Sequence, residues 1–284
     1  MESLLIADSG SSKTDWILTS ETNGTLEVQT TGINPVRDSQ RAISIVLTQE
    51  LLPKLPQTGI SEIHFYGAGC ISPYSSIVTS ALSECFPTSK IFVESDLLGA
   101  ARALCGNTPG IACILGTGSN SCLYDGKEII ANVSPLGYIL GDEGSGAVLG
   151  RTLVGDILKK QLPEHLCREF QEYFSLTAQD IIERVYRQPQ PNRFLASLVP
   201  FLHKKRKEPE IHQLLLNGFK QFLQRNIRQY NKPHMSVNFV GSIAFYFQEE
   251  LVEALQSESM NRGVILQKPI VEITKYHKNG LFHT

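Results

Sequence analysis

Two short segments rich in glycine and hydroxyl side chains lie about a hundred residues apart, SGSSKT at 9–14 and GTGSNS at 116–121. Loops of this composition present backbone N–H groups and short hydroxyl donors, which hold phosphate oxygens without a bulky side chain in the way. Neither is a standard nucleotide motif, because Ser12 stands where a P-loop needs glycine and Ser121 where a dinucleotide fingerprint needs its last glycine. Two such loops predict a polyphosphate held from two sides.

Two aspartates lie at the ends of predicted strands. Asp8 ends the apolar strand before the first loop, where a carboxylate can hold Mg²⁺ through water beside phosphates. The alternative is an aspartate that caps its own turn, and we favour the metal role. Asp96 ends the strand KIFVESD and precedes a helix. Such a position suits a reactive group of an α/β protein but also a helix N-cap, so the sequence leaves both roles open.

The segment GYILGDEGSG at 137–146 is the densest cluster of glycine and acidic residues. Asp142 and Glu143 precede a predicted helix, and the flanking glycines let a ligand approach the backbone. We therefore interpret the segment as a ligand-binding loop. In VGSIAFYF, 240–247, a Gly-Ser turn follows a buried strand and suits close packing on a flat ring such as adenine. Taken alone, that segment is better explained as an ordinary strand-to-helix turn.

The hydrophobic pattern predicts the elements that position these residues. It indicates strands in SLLIAD, DWILTS, GTLEVQTTG, EIHFYGAGC and KIFVESD, with helices in SQRAISIVLTQELLPKL, SIVTSALSECF and LLGAARALCG, the last ending at Gly106. The pattern then restarts with the strand-turn-strand segment GIACILGTGSNSCLYDG, followed by helices to about Tyr230, the strand SVNFV and a late strand GVILQKPIVEIT. The restart indicates two related α/β halves. Turn formers in CGNTPG place the boundary there, which gives domains 1–107 and 108–284.

Composition narrows the classes of function. Hydrophobic residues make up 42% and charged residues 19%, the balance of an ordinary globular protein. A net charge of −2 gives no reason to expect nucleic acid or a membrane as partner. The six cysteines show no C-x-x-C pair or zinc spacing, and the first residues do not resemble a signal peptide. We therefore expect a cytoplasmic protein.

Taken in order, these segments resemble a sugar kinase of the actin-like ATPase superfamily, in the N-acetylglucosamine kinase branch near the BadF/BadG-type ATPases that activate CoA dehydratases. IADSGSSKTDW is similar to the first phosphate motif, ILGTGSNS to the second and FVGSIAFYF to the adenosine motif. ESDLLGAARA resembles the segment that bears the catalytic aspartate, and GYILGDEGSG the sugar-binding loop. The resemblance implies a two-domain, ribonuclease H-like α/β fold, each domain a mixed five-stranded sheet flanked by helices, with nucleotide and sugar in the inter-domain cleft.

The resemblance also implies roles for single residues. Asp96 would be the general base that takes the proton of the sugar 6-hydroxyl, and Asp8 would hold Mg²⁺. The sugar would be bound by Asn34, Gly137 and Asp142 as well as by the base. The ATP contacts would be Gly10, Ser11, Thr14, Thr117, Gly118, Ser119, Gly241 and Ser242. The implied reaction is ATP-dependent phosphorylation of N-acetylglucosamine or a close amino sugar, and we expect a homodimer.

Two other functions stay open from the sequence. A dehydratase-activating ATPase would need cysteines that share an iron–sulfur cluster across a dimer, and Cys105 and Cys122 are the nearest candidates, in an unmatched context. A nucleotide-binding regulator with the actin-like fold needs neither Asp96 nor the GDEGSG loop. The late glycine motif of the family is represented only loosely by KNGLFHT, so we expect a short C-terminal helix.

Overall fold

The computed structural model describes residues 3–10, 12–20, 24–56 and 59–281, and the chain forms two compact units. The first comprises Met1–Thr108, Gly126–Ile129 and Lys268–Thr284, and the second comprises Pro109–Asp125 and Ile130–Gln267. The chain thus first passes between the units next to the predicted boundary. The predicted second domain, 108–284, differs at its end, because the last segment belongs to the first unit.

The strands are β1 (Ser3–Ser9), β2 (Lys13–Ser20), β3 (Gly24–Thr31), β4 (Glu62–Gly67), β5 (Lys90–Ser95), β6 (Gly110–Leu115), β7 (Ser119–Tyr124), β8 (Ile129–Val133), β9 (Ser236–Val240) and β10 (Asn261–Leu266). The helices are α1 (Gln40–Val46), α2 (Ser75–Cys85), α3 (Asp96–Cys105), α4 (Gly137–Leu140), α5 (Gly146–Leu158), α6 (Glu164–Phe174), α7 (Ala178–Tyr186), α8 (Pro191–Ala196), α9 (Val199–Lys205), α10 (Pro209–Phe222), α11 (Ser242–Tyr246), α12 (Gln248–Ser257) and α13 (Ile270–Leu281). Shorter π and 3₁₀ turns extend α1 and α10.

The first unit is built on a mixed sheet in the order β3-β2-β1-β4-β5. The predicted opening meander β1-β2-β3 is antiparallel, and β1, β4 and β5 run parallel. One face packs on α1 and α2 through side chains such as Leu5, Phe65 and Leu82. The other face, with Leu4 and Ile6, is covered by α3 and α13. Successive side chains of β1 are thus buried on opposite faces of the sheet, as the two-residue period of a strand requires.

The last helix is held on the first unit by polar as well as apolar contacts. Ile273 is fully buried against the sheet. Tyr66 Oη lies 2.8 Å from His277 Nε2, and Arg102 Nη1 donates to the same Tyr66 oxygen at 2.5 Å. The rings of His64 and His277 stack with centroids 3.8 Å apart. Burial lowers the pKa of both histidines, that of His277 to about 3, so both are neutral at pH 7.

Two predictions of secondary structure need correction. In the predicted late strand GVILQKPIVEIT, only the residues to Leu266 are extended, and Ile270 begins α13. Pro269 separates the two because it suits a chain entering a helix and ends a strand, and Ile270 and Ile273 then share one helical face. Strand β8 was not predicted, since its side chains are half-buried or exposed and show no buried alternation.

The second unit also has a mixed five-stranded sheet, in the order β10-β9-β6-β7-β8. Strands β6 and β7 form the predicted antiparallel hairpin, while β9 lies parallel to β6 and β10 parallel to β9. Helices α5–α12 build most of its core with the sheet, through large buried side chains such as Phe170, Phe219 and Phe239. The predicted fold class, two mixed five-stranded sheets flanked by helices, is confirmed. Among the helices described, none has the length and apolar character needed to cross a membrane.

Candidate functional site

In the first unit, two acidic residues lie at one edge of the sheet. The register places Ser9, the last residue of β1, beside Gly67 of β4, and Gly67 beside Ser95 of β5. Because these strands are parallel, their carboxyl ends meet, and Asp8 and Asp96 come to the same edge. The two aspartates are 88 positions apart in the sequence, and the topology of the sheet brings them to the same end of the strands.

The Asp8 carboxyl is half-buried, and its pKa is raised to about 7. Burial is the largest cause, and the negative charges of Asp96 and Asp15 add to it. Asp15 is the direct cross-strand neighbour of Asp8. An oxygen donor set with an excess of negative charge fits a hard cation such as Mg²⁺. The placement of Asp8 is therefore compatible with the predicted metal role, which stays a prediction.

Asp96 is the first residue of α3 and not its N-cap. The capping residue is Ser95, whose Oγ accepts the N–H of Leu98 at 3.2 Å. The Asp96 carboxylate accepts the N–H of Leu97 at 2.9 Å, and burial nevertheless raises its pKa to about 6. The alternative that Asp96 serves only as the N-cap is thus wrong, because the adjacent serine fills that position. A carboxylate with this pKa is ionised at neutral pH and can accept a proton.

Asp15 and the cations beside it were not predicted. Gln29 Nε2 donates to Asp15 Oδ1 at 2.6 Å, and Lys13 Nζ and Lys268 Nζ lie 3.1 and 3.3 Å from Asp15 Oδ2. Burial alone would raise the pKa of Asp15, but the Gln29 and Lys13 hydrogen bonds and the two lysine charges lower it overall. Asp15 therefore stays ionised and holds both lysines next to the Asp8 carboxyl.

The buried side chains of Ser9 and Thr14 stabilise the first hairpin. Both side chains are fully buried, and their hydroxyl oxygens lie 2.7 Å apart. Ser9 Oγ donates to Ile33 O at 2.9 Å and accepts the Ile33 N–H at 3.0 Å, while Thr14 Oγ1 donates to Thr31 O at 3.2 Å. The structure does not expose the Thr14 hydroxyl to a ligand, so its predicted phosphate contact gains no support here. Ser9, which the sequence did not single out, links the hairpin to the segment that carries Asn34.

Three further predicted residues lie in or next to this hairpin. The Gly10 N–H donates to Lys13 O at 3.0 Å and closes the turn. Ser11 lies outside the described residues. Asn34 is half-buried, and its Oδ1 accepts the Val36 N–H at 3.0 Å, which fixes the side chain in its loop. Gly10 and Asn34 thus sit at the Asp8 end of the hairpin, and their ligand contacts stay predictions.

In the second unit, the bend of the β6–β7 hairpin is shorter than predicted. It consists of Gly116, Thr117 and Gly118, because Ser119 already opens β7. The Gly116 N–H donates to Gly118 O at 2.9 Å. In the part of the chain that the structure describes, the N–H groups of Thr117 and Gly118 have no hydrogen-bond partner in the protein, and both residues are half-buried. Such a pair of amides is suited to an anion.

The N-terminus of α5 supports this bend. The Gly146 N–H donates to Gly116 O at 2.8 Å, and the Ala147 N–H donates to Thr117 O at 3.0 Å. Ser145 is fully buried and caps the helix by accepting the Val148 N–H. The end of the glycine-acid segment and the second phosphate loop are therefore bonded to each other through their backbones.

Asp142 also lies against this loop. Its Oδ1 accepts the Ser119 N–H at 3.3 Å, and an added Cβ on Gly118 would lie 3.2 Å from Asp142 Oδ2. Burial raises the pKa of the Asp142 carboxyl to about 6, and the Ser119 hydrogen bond opposes the rise. Asp142 thus touches the predicted phosphate loop directly, a contact that the sequence did not predict.

The adjoining residues of the glycine-acid segment differ in their surroundings. Glu143 is mostly buried, and its carboxylate pairs with Arg225 Nε at 2.5 Å and accepts from Asn226 Nδ2 at 3.4 Å. Gly137 is exposed, has a φ of +73°, and begins the four-residue helix α4. A glycine with this φ leaves the backbone open to a ligand. The predicted sugar contacts of Gly137 and Asp142 stay predictions.

The adenosine segment meets the second phosphate loop within the same unit. Gly241 follows β9, has a φ of +124°, and an added Cβ would lie 2.2 Å from Leu115 O. Only glycine lets the two chain segments approach so closely. Ser242 is exposed at the start of α11, and Ile243 of that helix lies next to Gly146. The three predicted motifs of the second unit therefore meet at one edge of its sheet, although the contact of Gly241 and Ser242 with adenine is untested.

The described residues contain no group of three or more His, Cys, Asp or Glu side chains able to hold a metal ion directly. The predicted binding of Mg²⁺ by Asp8 through water stays a prediction.

Comparisons with known proteins relate this chain to solved structures. A Porphyromonas gingivalis protein described as a "Putative N-acetylglucosamine Kinase" is 48% identical, with 98% of this chain and 99% of that chain covered and a TM-score of 0.95. A Chromobacterium violaceum protein with the same description is 19% identical, with 97% and 99% covered and a TM-score of 0.75. MreB 5 of Spiroplasma citri bound to AMPPNP is 9% identical, with 99% and 97% covered and a TM-score of 0.62.

No family model matches the chain, and no curated protein matches it. The two more distant structures share the fold alone, and they confirm the actin-like ATPase fold expected from the resemblance. The first match extends over nearly the whole of both chains at 48% identity. The chain therefore belongs to the N-acetylglucosamine kinase family of the actin-like ATPase superfamily.

Proposed function

We propose that this member of the N-acetylglucosamine kinase family transfers the γ-phosphoryl group of ATP to the 6-hydroxyl of N-acetylglucosamine or a closely related amino sugar. The observation that carries the proposal is the placement of Asp96. Its carboxylate lies at the carboxyl edge of the first sheet, beside Asp8, with a pKa of about 6. The full-length similarity to a protein described as such a kinase supports the substrate class.

Asp96 acts as the general base. Its carboxylate accepts the proton of the sugar hydroxyl while that oxygen bonds to the γ-phosphorus, and the bond from the γ-phosphorus to the bridging oxygen of ADP breaks. The products are the sugar phosphate, ADP and a proton on Asp96, which passes to solvent. A pKa of about 6 suits this step, because the carboxylate is mostly ionised at neutral pH and still basic enough to accept the proton.

The remaining residues bind and orient the two substrates. We assign sugar binding to Asn34, Gly137 and Asp142, and we assign phosphate binding to the amides of Thr117 and Gly118 and to the first hairpin. Gly241 and Ser242 lie next to the second loop and take the adenine. Asp8 would hold Mg²⁺ through water, and the ion would supply positive charge to the phosphate oxygens. The lysines held by Asp15 place further positive charge beside Asp8.

The alternative of a dehydratase activator is less compatible with the structure. Cys122 is fully buried in β7, and burial raises the pKa of the Cys105 thiol to about 11. A metal-binding thiol is instead deprotonated and accessible. No observation favours the regulator without sugar chemistry over the kinase.

The test is ADP release in the presence of Mg-ATP and a panel of sugars that includes N-acetylglucosamine, its 6-deoxy analogue, glucosamine and N-acetylmuramic acid. We expect turnover with N-acetylglucosamine and none with the 6-deoxy analogue. Asp96→Asn should lower kcat by about 10²–10⁴-fold without loss of folding, because the base is removed and the shape is kept. Glu94→Gln, two residues earlier in the preceding strand β5, is the matched control and should stay within about twofold.

Two results would contradict the proposal. Near-normal turnover of Asp96→Asn would exclude it as the base. ATP hydrolysis that is indifferent to every sugar would exclude the kinase and favour the regulator.

A further inference from the structure

The Asp142 carboxylate occupies one amide of the second phosphate loop. The N–H groups of Thr117 and Gly118 in the bend are followed by that of Ser119, the first residue of β7, which donates to Asp142 Oδ1 at 3.3 Å. The other two N–H groups have no protein partner among the described residues. A carboxylate and a phosphate oxygen are both anions that such amides bind. Asp142 therefore lies where a phosphate group of ATP would compete with it.

Charge strengthens this competition. A phosphate that reached the two remaining amides would lie close to an ionised carboxylate, and two like charges at such a distance repel each other. The contact of Asp142 with Gly118 leaves little space, since even a methyl group on Gly118 would lie 3.2 Å from the carboxylate. Burial and the neighbouring Glu143 raise the pKa of Asp142 to about 6, which agrees with a carboxylate that has few compensating partners.

The backbone of Asp142 is fixed, so its side chain is the part that can move. The Asp142 N–H donates to Pro135 O at 2.8 Å, and the Ser145 N–H donates to Asp142 O at 3.0 Å. The next residue, Glu143, is anchored by Arg225. Asp142 holds a φ of +52°, a conformation that non-glycine residues adopt infrequently and that the surrounding bonds maintain. A rotation about its side-chain bonds releases the Ser119 amide without rebuilding the loop.

We propose that Asp142 is a positioning residue that makes phosphate binding depend on the sugar. In the sugar-free protein the Asp142 carboxylate blocks the second phosphate loop. A sugar hydroxyl that donates to the carboxylate moves it away from the Ser119 amide and reduces its repulsion of phosphate. The Ser119 amide then becomes available to ATP. This second step rests on the proposed function, because the sugar is the group that moves Asp142. The consequence is a low rate of ATP hydrolysis without sugar.

The test measures nucleotide affinity in the absence of any sugar. Mg-AMPPNP is titrated into the wild-type protein and Asp142→Asn by calorimetry. The amide keeps the shape, but it removes the charge and its neutral oxygen binds the Ser119 N–H less strongly than a carboxylate does, so AMPPNP should bind about tenfold more tightly. Damage to the loop would weaken binding instead, so a gain of affinity separates the proposal from a structural role. Asp156→Asn removes another half-buried carboxylate from the same unit, on α5, and should leave the affinity within about twofold.

A second arm adds N-acetylglucosamine. In the wild-type protein the sugar should raise the affinity for Mg-AMPPNP by about tenfold, and in Asp142→Asn this increase should disappear. Unchanged or weaker AMPPNP binding by Asp142→Asn without sugar would overturn the proposal. If Asp142→Asn gains affinity but no sugar on the panel is phosphorylated by the wild-type protein, the block by Asp142 stands and the proposed kinase function fails.

Discussion

In the first hairpin the hydroxyl groups of Ser9 and Thr14 are buried and donate to backbone carbonyls, whereas in the second hairpin the amides of Thr117 and Gly118 have no protein partner among the described residues. Acidic side chains and lysines lie next to the first bend, whereas the N-terminus of α5 donates backbone hydrogen bonds to the second bend. Similar Gly/Ser/Thr compositions thus support two kinds of site. The first unit supplies carboxylates, and the second supplies backbone donors.

This difference shows why composition alone is a weak guide to a phosphate loop. A hydroxyl residue binds phosphate only if the fold leaves its donor unused, and in the first hairpin the Ile33 backbone and the Thr31 carbonyl use the hydroxyls first. In the second hairpin the bend has three residues, and among the described residues the amide of Gly116 has a partner while those of Thr117 and Gly118 have none. Three tests, in order of expected effect, examine this contrast.

The largest effect is expected for Asp8→Asn in the carboxylate-rich edge. Loss of the charge should lower kcat/KM by at least about a hundredfold, because Mg²⁺ loses its anchor. Stability should change in the opposite direction. The folded-state pKa of Asp8 is about 7 against an ordinary 3.8, so native Asp8 binds its proton more tightly, and stability is lost as the pH rises between these values.

In chelator, Asp8→Asn should therefore match the wild-type Tm near about pH 4 and exceed it by about 5 °C near about pH 8. Thermal unfolding followed by circular dichroism measures both. Added Mg²⁺ should raise the wild-type Tm and leave that of the variant unchanged. A wild-type advantage at high pH in chelator would show that the Asp8 charge is compensated and would remove the argument for a cation there.

The second test places the same alanine in each hairpin region. An added Cβ on Gly32 would lie 2.5 Å from Gly10 O and 2.7 Å from Lys13 N, which are backbone atoms that cannot turn away. Gly32→Ala should therefore lower the free energy of unfolding by about 2–4 kcal/mol. On Gly118 the nearest atom is Asp142 Oδ2 at 3.2 Å, the end of a side chain, so Gly118→Ala should cost less than about 1 kcal/mol.

Urea unfolding of the two variants gives both values. Equal losses of unfolding free energy would mean that the second bend is packed as tightly as the first, and the two hairpins would then not differ in the way proposed. Nucleotide affinity of Gly118→Ala, measured alongside, reports whether the methyl group displaces the Asp142 carboxylate.

The smallest effect is expected for the two threonines. Thr14→Val removes the hydrogen bond to Thr31 O and the polar contact with Ser9 Oγ, and it should cost about 1–2 kcal/mol of stability with little change in KM for ATP. Thr117→Val leaves the bend amides in place and should cost less than about 0.5 kcal/mol, while KM for ATP rises a few-fold if its hydroxyl contacts phosphate. A larger rise of KM for Thr14→Val than for Thr117→Val would show that the Thr14 hydroxyl reaches the nucleotide.

Much of the fold could be predicted from local patterns. The strands β1 and β5 are short runs with apolar residues, with Asp8 near the end of the first and Asp96 directly after the second. Helix α3 ends at Gly106, where a φ of +59° suits glycine. The Gly/Ser segment after β6 marked the second hairpin. Such features depend on a few neighbouring residues, and so they are visible in the sequence.

The contacts that the sequence did not predict depend on residues far apart in the chain. Lys268 meets Asp15 only because α13 returns to the first sheet, and Ser95 rather than Asp96 caps α3 because the chain turns one residue earlier than the acid suggests. The contact of Asp142 with Ser119 spans 23 positions and depends on a φ of +52° that no local pattern indicates for aspartate. Tertiary packing stabilises these arrangements, because hydrogen bonds and ion pairs from other elements offset their unfavourable local conformational energy.

The sequence by itself predicted the two halves and their hairpins. It also identified the acidic residues able to act as a base or to hold a cation. Alternation of apolar residues and the special backbone freedom of glycine are sufficient for that much. Only the tertiary structure decided which donors are used inside the protein and which remain for a ligand. It buried Thr14, left the amides of Thr117 and Gly118 open, and raised the pKa values of Asp8, Asp96 and Asp142 by removing water from their carboxyls. Burial and hydrogen-bond competition are properties of the packed chain, and local residue patterns do not contain them.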